Sequence, residues 1–192
     1  MLKKNIFLDR DGVINRDSPN YIKHRSEFEF LPGSLEALKL LKEKGFAVIV
    51  ITNQSAINRK LMPLSELEAI HALMKETVQK SGGEIRDIFF CPHTPEEACD
   101  CRKPEPGLIY QARDKYNIEL SDACMIGDSA KDVQCARNAG CGRAVLVRTG
   151  NGNAAEKLLA GKKIAPDYIA ENLYEAVVWM ICGTFSSKKL NF

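Results

Sequence analysis

The run Phe46-Ala47-Val48-Ile49-Val50-Ile51 is apolar throughout and rich in β-branched residues. Strict alternation would mark a strand with one wet face. Continuity marks a strand buried on both faces, as in parallel sheets covered by helices. The rest of the chain repeats the theme. Short apolar runs at Asn5–Leu8, Ile88–Cys91, Ala123–Ile126, Ala144–Val147 and, more weakly, Asp167–Ile169 alternate with helical patterns. A helix is predicted from about Ser34 to Lys44, with Leu35, Leu38 and Leu41 on one face and Gly45 as its stop. Ser65 and Glu68 read as a capping box opening a helix to about Lys80, ended by Gly82-Gly83. Further helices are expected over Gly107–Tyr116 and Ala130–Asn138, the second closing at Gly140. This βαβα rhythm predicts an α/β fold with a central parallel sheet between two layers of helices.

With 192 residues and no repeat, low-complexity segment or linker, one domain spanning 1–192 is expected, with a mobile tail around Ser186–Phe192. Hydrophobic residues at 45% and charged residues at 27% belong to a globular chain rather than a disordered one. Lys+Arg 27 against Asp+Glu 25 leaves a net charge of +2, without the basic excess of a nucleic-acid binder. Any anion handled is expected to be small and met locally. The apolar run near Met1 is too short for a signal peptide, and no stretch approaches the ~18 apolar residues of a membrane span. A cytoplasmic monomer without nucleic-acid or membrane partners is the expectation.

Three apolar runs end abruptly in polar residues. Asn5–Leu8 leads into Asp9-Arg10-Asp11-Gly12, Phe46–Ile51 into Thr52-Asn53-Gln54-Ser55, and Ala123–Ile126 into Gly127-Asp128-Ser129 with Asp132 one turn on. Alone, each reads as a turn or an N-cap. An EF-hand is excluded because Val13-Ile14 breaks its ligand pattern. In a parallel sheet all three clusters share the carboxyl edge, where ligands bind. An Asp carboxylate can attack phosphorus and form an acyl phosphate. Two facing carboxylates, Asp9 and Asp128, would repel one another unless a hard cation lay between them, and Mg²⁺ suits that place. Asp11, two residues beyond the nucleophile, can serve as general acid and then base. Thr52 can hydrogen-bond phosphoryl oxygens, and Lys103 is the candidate cation.

Seven cysteines need a reason in a reducing compartment, and an odd number argues against a disulfide framework. Cys91-x-His93-x₅-Cys99-x-Cys101 offers three sulfurs and an imidazole, the ligand set of a closed tetrahedral Zn²⁺ site. The alternative is a cluster of reduced cysteines that bind nothing. With four protein ligands and no open position, such a zinc is structural; Arg102 and Lys103 directly follow its last ligand. Cys124, Cys135, Cys141 and Cys182 read as small buried residues.

Asp9-Arg10-Asp11-Gly12, Thr52, Lys103 and Gly127-Asp128 with Asp132 resemble the four ordered motifs of the haloacid dehalogenase (HAD) superfamily of phosphatases. Through about Gly150 the match resembles the D-glycero-D-manno-heptose 1,7-bisphosphate phosphatase branch, with histidinol-phosphate phosphatases next. Thr52-Asn53-Gln54-Ser55 and Cys91-Pro92-His93…Cys99-Asp100-Cys101-Arg102-Lys103-Pro104 carry that likeness. Ser55 favours the heptose branch. Ala56-Ile57-Asn58-Arg59-Lys60 departs from its usual Gly-Ile-Ala-Arg-Gly, and the short zinc loop occurs in both branches.

The resemblance implies a HAD-like Rossmannoid three-layer sandwich without a large cap domain. It implies Asp9 as nucleophile, Asp11 as acid and base, and Mg²⁺ on Asp9, the Asp11 carbonyl and Asp128. Thr52 and Lys103 would steady the phosphoryl group. Asp17, Ser18, Asn20 and Tyr21, together with Asn53, Gln54, Ser55 and Arg102, would recognise the rest of the substrate. That substrate would be a small phosphorylated metabolite, the heptose bisphosphate of lipopolysaccharide-core precursors attacked at C7, or alternatively histidinol phosphate. A DNA 3′-phosphatase and a non-catalytic zinc-stabilised scaffold are remoter alternatives. His71 reads as a surface or half-buried helical residue, and His24 as part of a solvated basic patch. Arg59-Lys60 reads equally as a distal-phosphate contact or a charged approach to a helix. Trp179, with Val177, Val178 and Met180, reads as core or a docking surface.

Overall fold

The computed structural model describes residues 4–185, so the tail expected at 186–192 lies outside the described residues. Six strands form one sheet: β1 (Asn5–Leu8), β2 (Ala47–Asn53), β3 (Asp87–Cys91), β4 (Cys124–Gly127), β5 (Arg143–Val147) and β6 (Tyr168–Ala170). Their order is β3-β2-β1-β4-β5-β6 and every pairing is parallel. The helices are α1 (Ser34–Glu43), α2 (Leu64–Lys80), α3 (Gly107–Tyr116), α4 (Ala130–Ala139), α5 (Gly152–Lys162) and α6 (Leu173–Phe185).

The period-two geometry of strands explains the layering. Ile6 and Leu8 face one way, with Val48, Val50, Ile126 and Val145, and pack under α1, α2 and α6. Phe7 faces the other way, with Ile49, Ile51, Met125 and Leu146, and packs under α3, α4 and α5. Both faces of each central strand are therefore buried, which is why β2 has a continuous rather than alternating sequence. The three-layer α/β sandwich expected from the sequence is present.

Several boundaries differ from expectation. The strand β2 extends through Thr52 and Asn53, because both pair with β3. No capping box opens α2: the helix starts at Leu64, Pro63 occupies the cap, and Ser65 lies inside the first turn. Pro63 sets an extended entry (φ −72°, ψ 154°) two residues before Ser65, which is thereby already helical and cannot serve as the cap. Two helices were not anticipated. In α6, the sequence Val177-Val178-Trp179-Met180-Ile181 is apolar all round, so no 3.6-residue stripe announces it. In α5, Gly152 and Gly161 dilute the pattern. Val177 and Met180 are core and Val178 is exposed, while the Trp179 ring stacks on Tyr168 at 4.6 Å. Cys124, Cys135 and Cys141 are buried as expected, but Cys182 is exposed on α6.

The strand order reverses at β1 and β4, which sets the crevice for ligands at their carboxyl ends. Among the described residues no large cap covers that edge; its principal connections are 9–33, 54–63 and 92–106. A small satellite core of Ile22, Ala56, Met62, Leu67 and Ile70 seats the first two connections on α2. Among the described residues no helix is long and apolar enough to cross a membrane.

Candidate active site

The β1 ladder hands its register directly to the site. Leu8 pairs with Val50 and with Ile126, so the residues after each strand emerge side by side. The Asp9 N–H donates to the Ile126 carbonyl at 3.0 Å, pinning Asp9 next to the β4 exit and Asp128. Gly12 lets the chain turn there at φ +79°, and a Cβ on it would lie 2.2 Å from Asp128 Oδ2. The Thr149 hydroxyl donates to the Gly12 carbonyl at 2.6 Å, bringing the β5 exit to the same corner. Sterics at Gly12 thus account for the glycine in the Asp9 motif.

Lys103 lies at the centre. It is 3% exposed, and its Nζ stands 2.9 Å from Asp9 Oδ1 and 2.6 Å from Asp132 Oδ1, while donating to the Ile51 carbonyl at 2.8 Å. Burial opposes its charge, but Asp132 and Asp9 hold its pKa above the ordinary lysine value. Its backbone is clamped by Asn53: Lys103 N–H donates to Asn53 Oδ1 at 3.1 Å, and Asn53 Nδ2 donates to the Lys103 carbonyl at 3.2 Å. Asp132 is fully buried and caps α4, accepting from the Ser129 N–H and hydroxyl at 2.9 and 2.7 Å.

Oxygens of Asp9, Asp128 and Asp132 lie within 4.8 Å of one another. Burial pushes the Asp9 carboxyl up to about 7, resisted by Lys103 and reinforced by Asp132 and Asp11. Burial, with Asp132 and Asp9 adding, pushes Asp128 up to about 8. Carboxylates this crowded fit a site for a divalent cation, whose charge relieves both burial and repulsion. Asp132 is fully buried against Lys103, whereas Asp9 and Asp128 border the open side. The Asn151 N–H donates to Asp128 Oδ2 at 2.8 Å, and its side-chain amide reaches Asp128 Oδ2 (3.2 Å) and Asp17 Oδ2 (2.8 Å).

Asp11 turns to other partners. Arg10 donates to both its oxygens, Asn15 to Oδ1 and Gln54 Nε2 to Oδ2. Burial opposes ionisation, but the Arg10 charge and these hydrogen bonds hold its carboxyl below the ordinary aspartate value. Gln54 Nε2 also donates to Thr52 Oγ1 at 2.9 Å, leaving the buried Thr52 hydroxyl proton free to turn outward.

These residues line a cavity of about 440 Å³. Asp9, Asp11, Asp17, Ser18, Tyr21, Thr52, Asn53, Gln54, Ser55, Arg102, Lys103 and Asp128 all border it, as do Arg59, Lys131 and Asn151. Asn20 does not; it sits exposed on the adjoining turn. Asn53 and Gln54, expected at the substrate, border the cavity and direct their amides to Lys103 and Asp11. Of the pair Arg59-Lys60, Arg59 borders the cavity while Lys60 is exposed beside it. His24 is exposed, 3.7 Å from Glu66. His71, expected at the surface or half-buried, is only 9% exposed and stands 3.3 Å from the Arg10 guanidinium.

Next to this cavity Cys91, His93, Cys99 and Cys101 bring their ligand atoms together, all within 4.8 Å. Sulfur–sulfur separations are 3.2 to 3.6 Å. The edge of a tetrahedron with Zn–S near 2.3 Å is about 3.8 Å, so the donor set fits zinc with little adjustment. Burial and the neighbouring sulfurs push the Cys101 thiol up, and burial raises Cys91. Cys99 is held down to about 7 by hydrogen bonds from Cys101 and Cys91 that outweigh its own desolvation. The loop is tied to the site by Arg102 Nη1, donating to the His93 carbonyl at 3.0 Å, and by the Gln54 N–H on the Cys91 carbonyl at 2.7 Å.

A HAD-hydrolase-like family profile matches residues 100–176. The D-glycero-β-D-manno-heptose-1,7-bisphosphate 7-phosphatase of Pseudomonas aeruginosa is 46% identical over 152 residues, covering 79% of this chain and 85% of that protein. This chain belongs to the HAD-like phosphatase family. Within the family, the solved structure of the D,D-heptose 1,7-bisphosphate phosphatase from B. bronchiseptica, in complex with magnesium and phosphate, superposes with a TM-score of 0.88. That pair is 38% identical over 94% of this chain and 99% of the other. The corresponding Burkholderia thailandensis structure gives a TM-score of 0.71 at 30% identity, covering 93% and 99%. The family's chemistry is phosphoric monoester hydrolysis, and the site just described lies at the sheet edge where the sequence motifs converge.

Proposed function

We propose that this HAD-like phosphatase hydrolyses the C7 phosphate of D-glycero-D-manno-heptose 1,7-bisphosphate through an aspartyl phosphate on Asp9. The observation that carries the reading is the mostly buried Asp9 carboxylate, flanked by Lys103 and close to Asp128, in a cavity also bordered by Arg59, Arg102 and Lys131. The names of the relatives supply the substrate. Lys103 Nζ and the Arg10 N–H both engage Asp9 Oδ1, leaving Oδ2 to attack phosphorus. The bond from phosphorus to the C7 oxygen breaks, and Asp11 gives that oxygen a proton. Water then loses a proton to Asp11 and attacks phosphorus, releasing Asp9 and inorganic phosphate. Arg10 holds Asp11 ionised before substrate binds; an arriving phosphate dianion, a like charge, opposes that and favours its protonation. Thr52 and Lys103 steady the phosphoryl oxygens. Asp9, the Asp11 carbonyl and Asp128 would hold Mg²⁺, which supplies charge neutralisation for the phosphoryl group.

Arg59, Arg102 and Lys131 also border the cavity, and three cations suit a second phosphate better than the ammonium group of histidinol phosphate. Phosphate release from the two substrates separates these readings. The heptose bisphosphate is expected to show a kcat/KM about 10²-fold higher, with heptose 1-phosphate as product. The reverse order hands the site to histidinol phosphate. A scaffold without activity is disfavoured by the convergence of all four polar motifs.

Zn²⁺ on Cys91, His93, Cys99 and Cys101 would be structural, fixing the loop that aims Arg102 and Lys103. Removing it while retaining magnesium is expected to lower kcat/KM about tenfold or more, since catalytic groups misplaced by ~1 Å are costly. Unchanged kinetics in a folded, verified zinc-free sample contradicts that role.

A further inference from the structure

Arg10 follows the nucleophile directly, yet it is fully buried. An unpaired guanidinium there would be expensive, so its donors need partners. Nε and Nη2 donate to Asp11 Oδ1 at 3.2 and 2.9 Å, and Nη2 also donates to Oδ2 at 2.9 Å. The remaining nitrogen, Nη1, lies 3.3 Å from His71 Nε2. Burial and the Arg10 charge lower the His71 pKa to about 3, so the ring is neutral and its Nε2 can accept. The ring meets Phe90 edge-on, with centroids 6.0 Å apart. A helix on one face of the sheet thus holds one end of a guanidinium whose other end fixes the plane of a carboxylate at the carboxyl edge. A lysine ammonium could neutralise Asp11, but as a point charge it would not set that plane.

We infer that Arg10, backed by His71, is the positioning residue that orients the Asp11 carboxyl toward the leaving oxygen. That role presupposes the phosphoryl transfer proposed above. Neither residue borders the cavity.

The test uses leaving groups. An alkoxide needs a proton as it departs, whereas p-nitrophenolate does not, and kcat/KM reports only the steps through that departure. The magnesium-loaded full chain and the variants Arg10→Lys, His71→Phe and His71→Gln are assayed with the heptose bisphosphate and with p-nitrophenyl phosphate. Arg10→Lys should lose about 10²-fold in kcat/KM on the sugar phosphate while staying within about threefold on the aryl ester. His71→Phe should lose about tenfold with the same selectivity. His71→Gln, whose amide oxygen can replace Nε2 as acceptor, should recover most of it. Equal losses on both substrates in folded variants, or no loss on either, overturn the inference. If Arg10→Lys fails to fold, the His71 pair decides by the same criterion. A wild-type protein inactive on both esters overturns the phosphatase reading first, and this inference with it.

Discussion

Asp9→Asn is expected to abolish turnover, with kcat/KM falling about 10⁴-fold or more, while the fold persists. The amide keeps the shape of the side chain and a carbonyl oxygen for the Arg10 N–H and Lys103, which at present meet Asp9 Oδ1 at 2.7 and 2.9 Å. Lys103 retains Asp132 at 2.6 Å, so no buried charge is left alone. Stability should not suffer. The folded Asp9 carboxyl has a pKa raised to about 7 by burial. A raised carboxyl pKa means that ionisation costs folding free energy as pH climbs from the ordinary aspartate range through 7. In magnesium-free buffer at pH 8 the variant should therefore be at least as resistant to urea as the parent. Residual activity within tenfold of the parent contradicts the nucleophile assignment.

Lys103→Met should harm both activity and stability. Lys103 is the only cation in contact with the Asp9–Asp132 pair among the described residues, and its removal leaves the buried Asp132 and the mostly buried Asp9 carboxylates facing each other. Breaking a buried ion pair from one side costs about 3–5 kcal/mol. Losing a preorganised cation at the phosphoryl group costs about 10²–10³-fold in kcat. The pH dependence has a definite sign. The folded-state pKa of Lys103 is raised, so in the parent its contribution is complete at neutral pH and is lost only well into alkali. In the variant, the Asp9 carboxyl, already raised in the parent by burial, loses its cation, and its penalty fades as it protonates. Urea unfolding of magnesium-free protein should show a deficit that is full at pH 8 and shrinks toward pH ~4. An equal deficit at both ends contradicts this account of the pair.

Much of this site was readable from the chain alone because parallel strands share one carboxyl edge. Asn5–Leu8, the β2 run and Ala123–Ile126 each had enough apolar character to mark a strand, and the polar residues after them then had to converge. Lys103 came from motif resemblance and the zinc-loop spacing, since nothing local says that its Nζ turns back to Asp9. Asp132 was visible one turn after Asp128, but its engagement by Lys103 was not. His71 was misplaced although a signal existed. Leu67, Met74 and Val78 form the buried stripe of α2, and His71 falls on that stripe four residues after Leu67. Its polarity masked the spacing. Arg10 was hidden for a related reason: an arginine in a polar motif reads as solvated until α2 is known to close over it. Asn151 follows β5 in a short connection without periodicity, and only tertiary structure brings it to Asp128 and Asp17.

Covalent attachment of phosphorus to the enzyme is tested most directly by the stereochemical course of the reaction. A phosphorothioate analogue of the sugar phosphate, made chiral at phosphorus by oxygen isotopes, is hydrolysed in water carrying the third isotope. Two successive in-line displacements, first by the aspartate and then by water, must return net retention of configuration. Inversion would mean that water displaces the sugar in a single step, with no acyl phosphate at all.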